Sequence, residues 1–136
     1  MLRYMLDTDL CIHVLRERPQ ALRAVFNAEA DALSISSVTF GELLVGANKS
    51  ARPNANRHTV ERFAARLTVL PFDDDAAAHF ADIRAALERQ GNVIGAYDLM
   101  IAGHARSHGL IVVTGNLREF RRVDGLRSED WLADGR

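Results

Sequence analysis

Short apolar runs without alternation take turns, along this chain, with stretches whose apolar residues recur every three or four positions. Tyr4-Met5-Leu6 is the first such run, and Leu110-Ile111-Val112-Val113 is the clearest. Runs of this kind read as strands buried on both faces of a sheet. Leu33-Ser34-Ile35-Ser36 and Thr68-Val69-Leu70, the latter closed by Pro71, predict two more strands, and a short last strand is expected near Arg122-Val123. Helical spacing fills the intervals. Leu10, Cys11, Ile12, Val14 and Leu15 carry a helix to about Arg16. Arg18-Pro19 breaks it, and Pro19 suits the first turn of a second helix reaching Ala30. Ser36-Ser37 offers an N-cap to a helix bearing Val38, Leu43, Leu44 and Ala47, and the polar stretch from Asn48 to Asn56 reads as a loop. Val60, Phe63, Ala64 and Leu67 share one face of a helix from Thr59 to Leu67.

Asp73-Asp74-Asp75 opens the next helix, where three acids suit the positive end of the helix dipole. That helix is expected to bury Ala77, Phe80, Ile83, Ala86 and Leu87 and to end at Gln90-Gly91-Asn92. A further helix follows Gly95-Ala96-Tyr97-Asp98, with Leu99, Ile101, Ala102 and Ala105 apolar, and stops at His108-Gly109. Strands alternating with helices predict an α/β domain with a parallel sheet covered on both faces. No repeat, low-complexity segment or domain boundary interrupts the pattern, so residues 1–136 are expected to form one domain.

Against this framework the acids stand out. Asp7-Thr8-Asp9 ends the first strand. In open α/β sheets, the carboxyl ends of the strands are where ligands bind. Asp is also a preferred N-cap, so a purely structural role is open to Asp7 and Asp98, and Glu42 could face solvent on its helix. Taken together, however, Asp7 leaves the first strand, Glu42 lies early in the helix after the second, Asp98 opens the helix before the Leu110–Val113 strand, and Thr114 and Asn116 leave that strand. If the strands carrying them are neighbours, these side chains converge on one edge. Clustered carboxylates repel one another unless a cation neutralises them. Oxygen ligands without a Cys or His cluster favour Mg²⁺ or Mn²⁺ over zinc. Such a site can activate water for in-line attack on a phosphodiester.

Composition narrows the partners. A net charge of −1 means that any nucleic-acid contact must come from a local patch. Lys49, Arg52 and Arg57 in or beside the polar loop are candidates, with Arg118, Arg121, Arg122 and Arg127 near the end; a solvated charged face is the alternative. The single cysteine, Cys11, excludes an internal disulfide and is expected in the core of a cytoplasmic protein. No apolar run reaches membrane-spanning length. His104 and His108 stand four apart on one helix, but no carboxylate lies between them and the other histidines show no ligand spacing, so packing or surface roles are expected.

The order and spacing of several segments resemble the PIN-domain ribonucleases, specifically the VapC toxins of type II toxin–antitoxin pairs. The matching stretches are Tyr4 to Asp9, Ile35 to Thr39 through Glu42 and Gly46-Ala47, and Asp98-Leu99-Met100-Ile101-Ala102-Gly103-His104-Ala105-Arg106 into Gly109–Thr114. Arg118-Glu119-Phe120 and Gly125-Leu126 to Trp131 extend the match over essentially the whole chain. The resemblance implies a three-layer α/β/α sandwich around a central parallel sheet. It implies that Asp7, Glu42 and Asp98 hold Mg²⁺ or Mn²⁺, that Thr114 supports the site, and that Asp9 and Asn116 are further candidates. It also implies cleavage of structured RNA, commonly a transfer RNA (initiator tRNA among the candidates) at the anticodon loop, leaving 5′-phosphate and 3′-hydroxyl ends. The implied partners are a second copy of the chain and a VapB-like antitoxin whose tail covers the site, with promoter DNA reached only through that complex.

Two positions depart from the family pattern. Asp9 stands where many relatives carry Asn, and Asn116 stands where PIN domains often carry a fourth acid. An amide can orient water but supplies no charge, and Asp9 could compensate. Two rival readings remain beside the ribonuclease. One is a degenerate PIN domain that binds RNA or a protein without cutting. The other is a haloacid-dehalogenase-type phosphatase, since Asp7-Thr8-Asp9 after a strand and Asp73-Asp74-Asp75 resemble its acidic motifs. Against it, the only lysine is Lys49 in the polar loop, and the chain is short for that fold with a cap.

Overall fold

The computed structural model describes residues 1–16 and 20–132. Five short strands, β1 (Tyr4–Leu6), β2 (Leu33–Ser36), β3 (Thr68–Leu70), β4 (Ile111–Val113) and β5 (Ser128–Glu129), form one sheet in the order β3-β2-β1-β4-β5. Every pairing is parallel. The helices are α1 (Thr8–Leu15), α2 (Gln20–Glu29), α3 (Ser37–Asn48), α4 (Pro53–Ala64), α5 (Asp74–Arg89), α6 (Ala96–His108) and the short α7 (Leu117–Phe120). A 3-10 turn, Ala30–Ala32, leads into β2.

The period of two along each strand sorts the core into two layers. Tyr4, Leu6, Leu33, Ile35, Ile111 and Val113 face α1 to α4, where they meet Leu10, Cys11, Val14, Phe26, Leu43 and Phe63. Met5 and Val112 face the other way, against Ile83, Leu87, Leu99, Ile101 and Phe120. The result is the expected three-layer α/β/α sandwich. Cys11 is buried, as expected. Gly103 shows how closely the outer layer packs. A Cβ added there would stand 2.5 Å from the Phe80 backbone nitrogen, so α6 lies directly against α5.

Several boundaries differ from the sequence-based expectation. The loop expected over Asn48 to Asn56 is shorter, because Asn48 ends α3 and α4 begins at Pro53. Proline at the first helical position loses no hydrogen bond, so the residue that suggests a loop starts the helix. In α5 the buried alanine is Ala76 and Ala77 is exposed. The last strand is Ser128–Glu129 and not Arg122-Val123. Val123 is buried among the α5–α6 side chains without strand pairing, so its apolar character reports burial alone. The stretch after Asn116 holds α7, whose four residues are too few for a helical repeat to show in the sequence. Arg18 and Pro19, expected to separate the first two helices, lie outside the described residues.

The topology chooses an edge. From β1 the chain moves outward to β2 and β3, then returns across the sheet to β4 on the other side of β1. Strand order reverses between β1 and β4, and in such sheets the carboxyl ends at that point form a crevice. Replacing Gly103 with Ala forces a methyl group into the Phe80 backbone. Urea unfolding is expected to show a loss of about 2–3 kcal/mol, at the upper end for overpacking.

Candidate active site

The crevice at the switch point carries the acids. Register pairs Leu6 with Val113, so the next residue on each strand, Asp7 and Thr114, leaves the sheet side by side. The Asp7 backbone N–H donates to Val113 O at 3.0 Å, extending the ladder by one bond. Asp7 is also the N-cap of α1, and its Oδ1 accepts the Leu10 N–H at 2.8 Å. Its Oδ2 accepts the Thr114 hydroxyl at 2.5 Å, and Thr114 Oγ1 in turn accepts the Asn116 N–H at 2.8 Å. The capping role and the site role therefore belong to one carboxylate, with one oxygen for each.

Asp98 reaches the same edge from the other layer. It lies in the first turn of α6, whose chain runs down the sheet before β4 climbs back. The Glu119 carboxyl neighbours it, and burial together with Glu119, Asp7 and Asp9 pushes its pKa up to about 7. Asp7 is raised to about 6, chiefly by burial and also by Asp9, while Thr114 and the Leu10 amide pull the other way. Asp9 is exposed and borders a cleft of about 440 Å³ with His13, Arg16 and Asn116.

Glu42 arrives from the facing helix. It sits half-buried on α3 with Oε1 2.6 Å from Thr8 Oγ1, the residue after Asp7. The sheet thus brings Asp7, Asp98, Thr114 and Asn116 together, and α3 adds Glu42 through Thr8. Glu119 belongs to the group too, although sequence reasoning assigned it no role. It lies three residues beyond Asn116, on the first turn of α7. Once α7 is recognised as a helix, that spacing returns an acid to the side of the site where Asn116 lacks one.

The arginines divide. Lys49, Arg52, Arg57, Arg118 and Arg121 are exposed. Arg122 donates to Val93 O at 3.3 Å, and Arg127 donates to Gly109 O at 3.4 Å. Gly109 precedes β4, so Arg127 lies at the amino edge of the sheet, away from the acids. His104 is fully buried, with Nδ1 2.8 Å from Ser36 Oγ and its ring edge-on to Phe72, which gives it the packing role expected. Asp73 caps α5 by accepting the Ala76 N–H at 3.0 Å after the edge strand β3, a structural duty unrelated to phosphate transfer.

A divalent cation fits this chemistry. Among the described residues no three acidic, histidine or cysteine side chains stand close enough to enclose an ion by themselves. Mg²⁺ does not need such a cage: it keeps several waters and binds through one or two carboxylates together with substrate phosphates. Asp7 and Asp98 are the carboxyls whose charged forms burial and neighbouring acids oppose, and a cation would reverse that opposition.

Comparison with known proteins agrees with this architecture. The family model for the PIN domain matches residues 4–126. The chain belongs to the PIN-domain family. It is 52% identical over 131 residues, 96% of this chain and 99% of the relative, to the tRNA(fMet)-specific endonuclease VapC of Shigella flexneri. It is 48% identical over 132 residues to ribonuclease VapC2 of Haemophilus influenzae, covering 97% of this chain and 100% of that one. Among solved structures, a chain of DNA-bound VapBC from Salmonella typhimurium superposes with a TM-score of 0.93 at 51% identity, over 96% of this chain and 99% of that one. Membership of this family removes the phosphatase reading. No helix among the described residues is long and apolar enough to cross a membrane.

The raised carboxyl pKa values carry a sign. Between about 4 and 7 the folded, metal-free protein binds protons on Asp7 and Asp98 that the unfolded chain has released. Their contribution to stability is fully present below pH 4 and is lost as pH rises through 6 and 7. Asp98→Asn, a neutral mimic of the protonated acid, is expected to raise the thermal midpoint in EDTA at pH 8, less so at pH 5, and to change it little below pH 4. Differential scanning fluorimetry across that range checks it, and added Mn²⁺ should raise the wild-type midpoint at pH 8 and not that of the variant.

Proposed function

We propose that this chain is a Mg²⁺- or Mn²⁺-dependent endoribonuclease that cuts transfer RNA, initiator tRNA first among the candidates, and acts as the toxin of a toxin–antitoxin pair. The observation that carries the proposal is the meeting of Asp7 and Asp98 at the sheet's switch point, with Thr114 bonded to Asp7 and Glu119 beside Asp98. The relative from Shigella flexneri is named for tRNA(fMet), and the Salmonella typhimurium neighbour is a VapBC complex on DNA. A VapB-like antitoxin is the corresponding partner here, with promoter DNA reached through that complex and the toxin itself as a homodimer.

In this reading Asp7 and Asp98 are the metal ligands. Glu42 is joined to the site through Thr8, the residue after Asp7, and Glu119 and Asn116 border it on the other side. When bound, the cation lowers the pKa of water and offsets charge that builds on the scissile phosphate. The chain's own task is to hold the acids ionised and in place. Thr114 and the Leu10 amide bond the two oxygens of Asp7, which favours its charged form. Exposed Arg118, next to Glu119, is placed to meet a phosphate of the RNA.

Purified protein free of antitoxin is expected to cut total tRNA at discrete positions with Mg²⁺ or Mn²⁺, leaving 5′-phosphate ends, and to stop in EDTA. Asp98→Asn and Asp7→Asn should each lose about 10²–10³ in rate, as when one preorganised electrostatic partner is removed. Glu119→Gln is expected to fall in the same direction, and Asp9→Asn to change little if Glu119 supplies the fourth acid. RNA bound equally well with and without metal, and never cut, would instead mark a binding module.

A further inference from the structure

Glu42 has a restraint of its own, from a residue the expected site leaves out. Thr8 Oγ1 lies 2.6 Å from Glu42 Oε1 and 3.2 Å from Thr39 Oγ1. Thr8 has one hydroxyl proton, and an ionised carboxylate only accepts. Thr8 therefore donates to Glu42, and the Thr39 hydroxyl donates to Thr8. Thr39 is fully buried, whereas Thr8 and Glu42 are half-buried, so the chain of hydroxyls runs outward from the core to the acid. Thr39 and Glu42 lie three residues apart on α3, one above the other on the same face, and Thr8 enters between them from α1.

A glutamate has three side-chain torsions and, unrestrained, would populate several rotamers on a half-exposed helix face. We propose that Thr8, backed by Thr39, is the positioning residue for Glu42. It fixes the Glu42 carboxylate at the start of α1, one residue from Asp7. Because Thr8 directly follows Asp7 at the start of α1, it also sets the spacing between those two acids. A hydroxyl does this without neutralising the carboxylate, as a lysine or arginine would. Thr8 makes no contact with the reacting atoms in this scheme and acts only through Glu42. The proposal builds on the ribonuclease reading above.

A double-mutant cycle separates positioning from simple structural support. In the tRNA cleavage assay, Thr8→Val is expected to lower kcat roughly 10–100-fold, the usual cost of losing an outer partner of a metal site. KM, and RNA affinity measured in EDTA, should stay within about twofold, and Thr8→Ser should recover most of the rate. In a Glu42→Gln background, Thr8→Val should add less than about twofold. Equal losses in both backgrounds, or no rescue by serine, would overturn the proposal. If Thr8→Val does not fold, Thr8→Ala enters the same cycle. Metal-free crystal structures of wild type and the Thr8 variant test the placement apart from activity. A displaced Glu42 carboxylate supports it, and an unmoved one refutes it. A wild-type protein that cuts no RNA would overturn the ribonuclease reading, and the pair of structures would still decide the role of Thr8.

Discussion

Like charges brought together at low hydration are the constraint on which this molecule is built. Asp7 and Asp98 meet at the one place in the sheet where strand order reverses, and burial with neighbouring acids raises both pKa values toward neutrality. Repulsion of that kind would drive flexible side chains apart. It persists because each acid is fixed by backbone that the hydrophobic core holds elsewhere. Asp7 continues a strand whose Tyr4, Met5 and Leu6 are buried among both helical layers. Asp98 follows Gly95 into a helix pressed so closely on α5 that Gly103 admits no side chain. The two apolar layers thus set the distance between charges that would otherwise separate.

Much of this was legible because the sheet is parallel. A strand buried on both faces has little choice but an unbroken apolar run, and Tyr4-Met5-Leu6 and Leu110–Val113 stand out for that reason. The acids were legible through their place in the alternation: a carboxylate right after such a run leaves the sheet at its carboxyl end. What was hidden has physical reasons as well. Composition marks where polar residues cluster, not where the backbone turns, so Pro53 suggested a loop while starting α4. Val123 suggested a strand because burial alone makes a residue apolar, with or without a pairing partner.

Glu119 is the instructive omission. Position 116 invites a direct reading, an amide where an acid is expected, and that reading leads to a weakened site. Charge at a site depends on what reaches it in space. The chain bends into α7 immediately after Asn116, and one helical turn returns the Glu119 carboxyl to Asp98. A loss at one position and a gain three residues later are nearly equivalent when the intervening segment is a helix. They look unrelated when the segment is not recognised as a helix.

The partners of these acids are the ones that the proposed metal site would require. Asp7 is met by a threonine hydroxyl and a backbone amide, and Glu42 by a second threonine hydroxyl. The ion pairs of Arg84 with Glu88 and of Arg106 with Asp82 lie on α5 and α6, away from the edge. A guanidinium at Asp7 would have steadied the metal-free fold by cancelling charge, and would have left less attraction for a cation. Hydroxyls and amides orient an acid and favour its ionised form while leaving its negative charge in place. The metal-free protein is consequently less stable above neutral pH than its packing alone would make it. That cost is concentrated in the residues a divalent ion would relieve, so in the proposed reading metal affinity and the pH dependence of folding are two consequences of one arrangement.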